Sequence, residues 1–139
     1  MRAIFAAAVA IFCCSPLGAA VAQDAPTWLV GEYSGQINSR IVGTMTDFLQ
    51  IKSVKPGTDG RLVVDVAFRN DRGGDEWHPA KGEGTVVAPD RVKLVVVVTD
   101  PPKSAGKFDL DAKSDGSMTG MLTSATGPQG ASIRFEKKK

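Results

Sequence analysis

The residues of this chain best suited to chemistry lie in the stretch RNDRGGDEWHPAKGEG, residues 69–84. It contains the only histidine, His78, directly after Trp77, which is one of two tryptophans. Three carboxylates lie within six residues of one another just before this pair: Asp71, Asp75 and Glu76. A histidine beside carboxylates can ligate a metal ion, move protons or contact a bound ligand.

The pattern around His78 favours neither a metal centre nor a catalytic centre. Calcium-binding loops space their oxygen ligands in a defined order, which residues 71–78 do not follow. One histidine without cysteine is a poor zinc site. No nucleophile elbow, phosphate-binding loop or His-Glu-x-x-His motif accompanies it. We therefore predict no metal, no cofactor and no catalytic residue, and expect that the protein is not an enzyme.

The same stretch is also predicted to connect two strands through about eleven residues, more than most hairpin loops contain. Gly73 and Gly74 make its tip flexible, and Pro79 keeps His78 out of helical dihedrals. Two interpretations stay open. The loop is a lid or rim, with Trp77 folded over the mouth or packed on the barrel, or Trp77 and His78 contact a ligand at the open end.

The first residues of the chain have the pattern of a bacterial signal peptide. Arg2 is followed by an apolar run, residues 3–14, which is too short to cross a bilayer. Small residues at Ala20 and Ala22 then suit signal peptidase, so we predict cleavage after Ala22. This divides the chain into a signal peptide, residues 1–22, and a single domain, residues 23–139. The expected location is periplasmic or secreted.

Both cysteines, Cys13 and Cys14, belong to the predicted signal. Neither follows the small residue that lipid modification requires, so no stable membrane anchor is expected. The mature chain then has no disulfide, thiol nucleophile or cysteine-ligated metal, and must be stabilised by its core. The formal net charge of the whole chain is +2, which argues against a nucleic-acid partner because such proteins show a basic face. The three terminal lysines, 137–139, form a solvated end or a contact for an anionic surface.

The mature sequence alternates apolar and polar residues at period two, which is typical of β-strands. In KFDLDAK, for example, Phe108, Leu110 and Ala112 share one face. Short turns rich in Gly, Pro, Asp and Ser separate the strands, including two Asp-Gly turns at 59–60 and 115–116. Residues 24–29 are expected to form a short helical turn or a lid. Strands are predicted at about 31–40, 45–54, 61–70, 82–88, 91–99, 106–113, 117–124 and 131–137.

Short connections mean that sequential strands pair with each other. Eight such strands form an antiparallel up-and-down meander, which protects its edges best by closing. We therefore predict an all-β, eight-stranded antiparallel up-and-down β-barrel, with a two-sheet β-sandwich as the alternative. A barrel of this size has room for side chains or for one small ligand.

The chain resembles the calycins, the small barrels that include lipocalins and avidins. These carry Gly-x-Trp at the first strand and an arginine on the last strand that packs across that ring. Here Gly31-Glu32-Tyr33 and Arg134 stand at those places, with Tyr33 in place of tryptophan. The turn that starts at Asp115-Gly116 is similar to one in avidin-like barrels. The resemblance implies a barrel, permits an internal ligand, and makes Tyr33 a plug at the closed end or a ligand contact.

Two functions follow as expectations. The first is an exported β-barrel domain that binds a small apolar or amphiphilic ligand without catalysis. The second is a filled barrel that meets another extracytoplasmic protein as an interaction or inhibitor domain. Methionines can line a cavity or fill it. The residues predicted to contact a ligand are Trp77, His78, Tyr33, Met45 and Met118.

Overall fold

The predicted alternation is realised as eight antiparallel strands that close into one barrel. The computed structural model describes residues 25–39, 43–100, 102–125 and 130–139; the predicted signal peptide, residues 1–22, lies outside them. Each strand pairs with the next in the chain and the first pairs with the last, so the prediction of an up-and-down barrel is confirmed over the sandwich. The strands are β1 Gly31–Ser39, β2 Gly43–Pro56, β3 Arg61–Asn70, β4 His78–Ala88, β5 Arg91–Val98, β6 Gly106–Lys113, β7 Ser117–Ser124 and β8 Gly130–Lys137.

The apolar face of each strand points into the barrel, where the side chains form one contiguous core. Three phenylalanines lie at its centre: the rings of Phe68 and Phe108 are 6.0 Å apart, and those of Phe108 and Phe135 are 5.6 Å apart. Such tilted and edge-on ring pairs stabilise a core beyond the area that they bury. The largest fully buried side chains are Tyr33, Phe108, Phe135, Leu29, Leu49, Ile51, Leu94 and Met118.

Strand β4 begins earlier than predicted, at His78 instead of residue 82. Pro79 cannot donate a backbone hydrogen bond and is therefore disfavoured inside a sheet. It is tolerated because the pairing of β4 with β5 begins only at Lys81, so residues 78–80 pair with β3 alone. Gly82 is required by the core, because a Cβ there would lie 2.8 Å from the Val66 side chain. The loop before β4 is therefore residues 71–77, shorter than expected.

One end of the barrel is closed by residues that precede β1. Within the predicted turn at 24–29, a 3-10 turn forms at Thr27–Leu29, while Asp24 lies outside the described residues. Leu29 is fully buried among the core side chains. We call this the closed end. The described residues contain no helix with the length and apolarity to cross a membrane.

Candidate functional site

The opposite end, which we call the open end, is where β3 and β5 finish and β4 and β6 begin. Its described connections are residues 71–77, together with residues 99–100 and 102–105. We call residues 71–77 the rim loop. Its residues 71–76 are all exposed, whereas Trp77 is half-buried. Since surface loops on a rigid scaffold commonly carry binding residues, this end is the candidate site.

The base of the rim loop is held by the side chain of Asn70, which is buried. Its Oδ1 accepts a hydrogen bond from the backbone N–H of Arg72 at 3.0 Å, and its Nδ2 donates to Ser104 Oγ at 3.3 Å. The N–H of Asp71 donates to the Thr46 carbonyl at 3.0 Å. Asn70 therefore ties the rim loop to the connection between β5 and β6.

Trp77 lies on the outer wall of the barrel, away from its mouth. Phe68 and Asn70 face inward, so Arg69 between them faces outward, opposite Phe48 on β2. The Arg69 guanidinium carbon is 4.0 Å from the centroid of the Phe48 ring and 5.0 Å from that of Trp77. The side chains form a stack of two rings on one cation, which orders the end of the rim loop.

His78 faces the inside of the mouth, paired in register with Phe68. Its Nδ1 is 3.3 Å from Asp100 Oδ2, an orienting contact like that of a catalytic dyad. Ser104 lines the same small pocket, but its hydroxyl accepts from Asn70, and no hydrogen bond joins it to His78 among the described residues. Ser104 and His78 therefore do not form the hydrogen-bonded pair of nucleophile and base that catalysis would require.

This pocket at the mouth has a volume of about 10 Å³, enough for about one water molecule. It is lined by Phe68, Arg69, Asn70, Gly73, Glu76, His78 and Ser104. It is too small for an apolar ligand of the size that the first expectation requires. No three histidine or carboxylate side chains of the described residues lie close enough together to hold a metal ion.

Asp47 is the buried charge of this end. It lies on β2 between Met45 and Leu49 in the inward phase, and only 2 % of its surface is exposed. Its Oδ1 is buried without a hydrogen-bond donor. Burial, followed by repulsion from the Asp71 carboxylate, raises the pKa of Asp47 to about 7. Buried unpaired carboxylates are costly and are found mainly at functional sites.

The other predicted contact residues do not join this site. Met118 is fully buried and pairs in register with Ala112 and Phe135, and so belongs to the core. Met45 is half-buried opposite Ile37 on the mouth side of Asp47. The structure thus places His78 and Met45 at the open end and Trp77 on the wall beside it.

Tyr33 lies at the closed end. Its hydroxyl donates to the Leu29 carbonyl at 2.8 Å, and its burial raises its pKa to about 12. The expectation that Arg134 packs across this ring is wrong. Arg134 is exposed and bonds to Glu136, because the inward phase of β8 belongs to Phe135 and its alternates. Lys137, paired in register with Tyr33, lies with Nζ 6.0 Å from the ring centroid.

Asp47 and Asn70 were missed by the sequence interpretation, although a signal for one of them was present. In MTDFLQI, residues 45–51, period two places Asp47 in the same phase as Met45, Leu49 and Ile51. An aspartate in an apolar phase marks a buried charge. Asn70 gave no such signal, because it stands at the end of a strand where polar residues are common.

In comparisons with known proteins, no family model matches the sequence and no curated protein shows significant similarity to it. The structure supports the calycin resemblance as far as an eight-stranded antiparallel closed barrel.

Proposed function

We propose that this chain is an exported, non-catalytic interaction domain that recognises another extracytoplasmic protein through its open end. This is the second of the two expectations. The observation that carries it is the filled interior. Among the described residues, Leu29 and the buried inward side chains of the strands form a single cluster that includes the Phe68, Phe108 and Phe135 rings. Recognition then falls to the surface.

The filled interior weighs against the first expectation, a small apolar ligand inside the barrel. Met118 and Tyr33, which would line such a cavity, are buried against core neighbours. A ligand would have to displace close-packed side chains, each of which contributes on the order of 1–3 kcal/mol by burial.

The open end supports recognition because it combines order with exposure. The rim loop is held at its base by Asn70 and at its end by the Arg69 stack, while residues 71–76 project into solvent. A loop ordered before binding loses less conformational entropy when a partner arrives. Trp77 and Arg69 are also of the residue types enriched at the centres of protein interfaces.

Export is the second part of the proposal and rests on the signal pattern of residues 1–22. Cleavage after Ala22 would leave the 3-10 turn at Thr27–Leu29 intact, so the mature chain would keep the residues that close one end of the barrel. The mass of the protein recovered from its cell of origin tests this directly. A mass that includes residues 1–22 would contradict it.

The partner is tested by site-specific photo-crosslinking in the cell of origin. A photoreactive phenylalanine analogue replaces Asp75, at the exposed tip of the rim loop. The matched control replaces Asp90, an exposed aspartate in the β4–β5 turn at the closed end. We expect one protein crosslinked from position 75 and not from position 90. Co-expression of the unlabelled protein in excess should suppress that crosslink, whereas co-expression of the unlabelled protein with residues 71–76 replaced by Asn-Gly should not.

Equal crosslinks from both positions, or equal suppression of the crosslink by the protein with the shortened loop, would overturn rim recognition. Native mass spectrometry of the purified exported protein tests the first expectation, a small ligand bound inside the barrel. A small-molecule adduct found reproducibly would favour the ligand-binding barrel.

A further inference from the structure

The unexplained feature of the molecule is the side chain of Asp47. It faces inward near the open end, with Oδ1 buried and without a donor. Its cross-strand neighbours are Gly35 on β1 and Asn70 on β3. Gly35 has no side chain, and a Cβ there would lie 2.6 Å from the Arg134 carbonyl oxygen, so no larger residue fits. One side of Asp47 is thus kept free of any side-chain donor.

The other neighbour does not satisfy Asp47 either. The Asn70 amide bonds to Ser104 and to the backbone of Arg72, and both bonds hold the rim loop. Replacing Asn70 by a donor for Asp47 would release the loop. The structure therefore keeps an acceptor open inside the barrel, beside an amide whose hydrogen bonds are directed to the rim loop and to Ser104.

The charges that face Asp47 also favour a cation. From the connection after β3, the Asp71 carboxylate adds negative potential. The Arg72 side chain is exposed, and its guanidinium donates to the Thr44 carbonyl at 3.3 Å. On β4, His78 is paired with Asp100. On β1, the neighbour is Gly35, which is uncharged. Among the described residues, no cationic side chain bonds to Asp47.

We propose that Asp47 is the anchor of a binding site for a primary ammonium group that enters through the open end. A single carboxylate suits a monovalent cation, since a metal ion needs several ligands. Ile37 and Leu49 are buried in the filled core, so the aliphatic stem of the ligand can lie only on the mouth side of Asp47, where it would take the place of the Met45 side chain. Met45, unbranched and half-buried, is the inward residue next to Asp47 towards the mouth and can move aside.

This inference rests on the proposed function, whose partner it describes more closely. The ammonium group belongs to a lysine side chain of the partner or to a free amine, because the chemistry of both is the same. Proton and cation compete for one carboxylate, so binding is stronger at pH 8 than at pH 5. The proton is held with a pKa of about 7 in the empty site.

The probe for the site is n-butylammonium, titrated into the purified exported protein at pH 8 and pH 5. Carbon-13 NMR follows the Asp47 carboxyl and the Met45 methyl group. We expect saturable shifts of both signals at pH 8, and a pKa of Asp47 that falls when the site is occupied, because a nearby cation favours the carboxylate. Asp47→Asn should bind at least about tenfold more weakly. Asp65→Asn, which removes an exposed carboxylate from β3, is the control and should bind like the unchanged protein.

An Asp47 signal that does not respond, or equal binding by Asp47→Asn, overturns the proposal. Asp47→Asn removes a buried charge, so loss of folding is not expected; Asp47→Leu serves as a second variant. Combining Asp47→Asn with the crosslinker at position 75 identifies the source of the amine. Loss of both butylammonium binding and crosslink indicates a partner lysine, and loss of butylammonium binding alone indicates a free amine. If the crosslink persists but the Asp47 signal does not respond to n-butylammonium, the proposed function is still supported and only the ammonium site is excluded.

Discussion

The two ends of the barrel differ in how completely their inward polar side chains are hydrogen-bonded. At the closed end, the Tyr33 hydroxyl, the Lys137 ammonium and the Trp28 indole all donate to backbone carbonyls, at 2.8, 2.7 and 3.3 Å. At the open end, Asp47 keeps a buried oxygen without a donor. Since satisfied groups stabilise a fold and unsatisfied ones cost free energy, the closed end serves stability. The unpaired Asp47 oxygen at the open end lowers the stability of the fold, and a bound donor would remove that loss.

The largest effect should come from emptying the closed end. Tyr33→Ala removes a buried ring and its hydrogen bond, and we expect it to lower the free energy of unfolding by about 3–5 kcal/mol. Urea denaturation followed by circular dichroism measures this. Thr44→Ala, which removes an exposed side chain at the open end, is the control and should cost less than about 0.5 kcal/mol. Equal losses would remove the distinction between the two ends.

The next effect should appear at the open end, as a dependence of stability on pH. The pKa of Asp47 is raised from 3.8 to about 7 by folding, so its proton is bound more tightly in the folded state. The folded state is therefore destabilised as pH rises from about 4 to 7, by at most about 4 kcal/mol, and the loss is constant above that window. Asp47→Asn should remove this decline and be more stable than the unchanged protein at pH 8.

Denaturation curves at pH 4 and pH 8 for both proteins provide the measurement. The difference between the two proteins should grow with pH. If the difference in the free energy of unfolding between the two proteins were the same at both pH values, the pKa of Asp47 would not be raised by folding. The buried carboxylate would then not destabilise the open end.

A smaller effect should follow from the closing contact between the two chain ends. Lys137→Met keeps the aliphatic stem and removes the charge that bonds to the Trp28 carbonyl. We expect a loss of about 1–2 kcal/mol, since the contact is a charged hydrogen bond that is partly buried. The neighbouring Lys138→Met is the control, because the Lys138 side chain is exposed and it is the backbone N–H of this residue that donates to the Glu32 carbonyl. Thermal unfolding of both variants is the measurement. Equal losses of stability would show that removing a positive charge, and not the Lys137 hydrogen bond, causes the effect.

The contrast between the ends also explains what could be predicted from the sequence. Strand number, order and closure follow from local signals, namely period-two alternation and turn residues. Both Asp-Gly turns formed, with Gly60 and Gly116 at the positive φ values of 74° and 96° that favour glycine. These signals are local, so each could be recognised without knowing what lies opposite.

Features that depend on register could not be predicted in this way. Whether Arg134 or Lys137 meets Tyr33 depends on which residues of β8 face inward, and the pairing of β1 with β8 decides it. The start of β4 depends on where β5 ends, because Pro79 is tolerated only beside an unpaired segment. The Asp47 site depends on the register of β2 with both β1 and β3, because its acceptor lacks a donor only where Gly35 and Asn70 are its neighbours.

The smallest effect on stability should come from Trp77→Ala, although its effect on binding should be large. Trp77 packs on the outer wall against Arg69 and not in the core, so we expect a loss of only about 0.5–1 kcal/mol. The crosslink from position 75 should nevertheless weaken by at least about tenfold, because the rim loop loses the attachment at its C-terminal end. Trp77→Phe, which keeps a ring on the cation, should restore most of the crosslink. A variant that unfolds easily but crosslinks normally would show that Trp77 stabilises the fold, as the residues of the closed end do, and that the hydrogen bonds at the base of the rim loop are enough to order it.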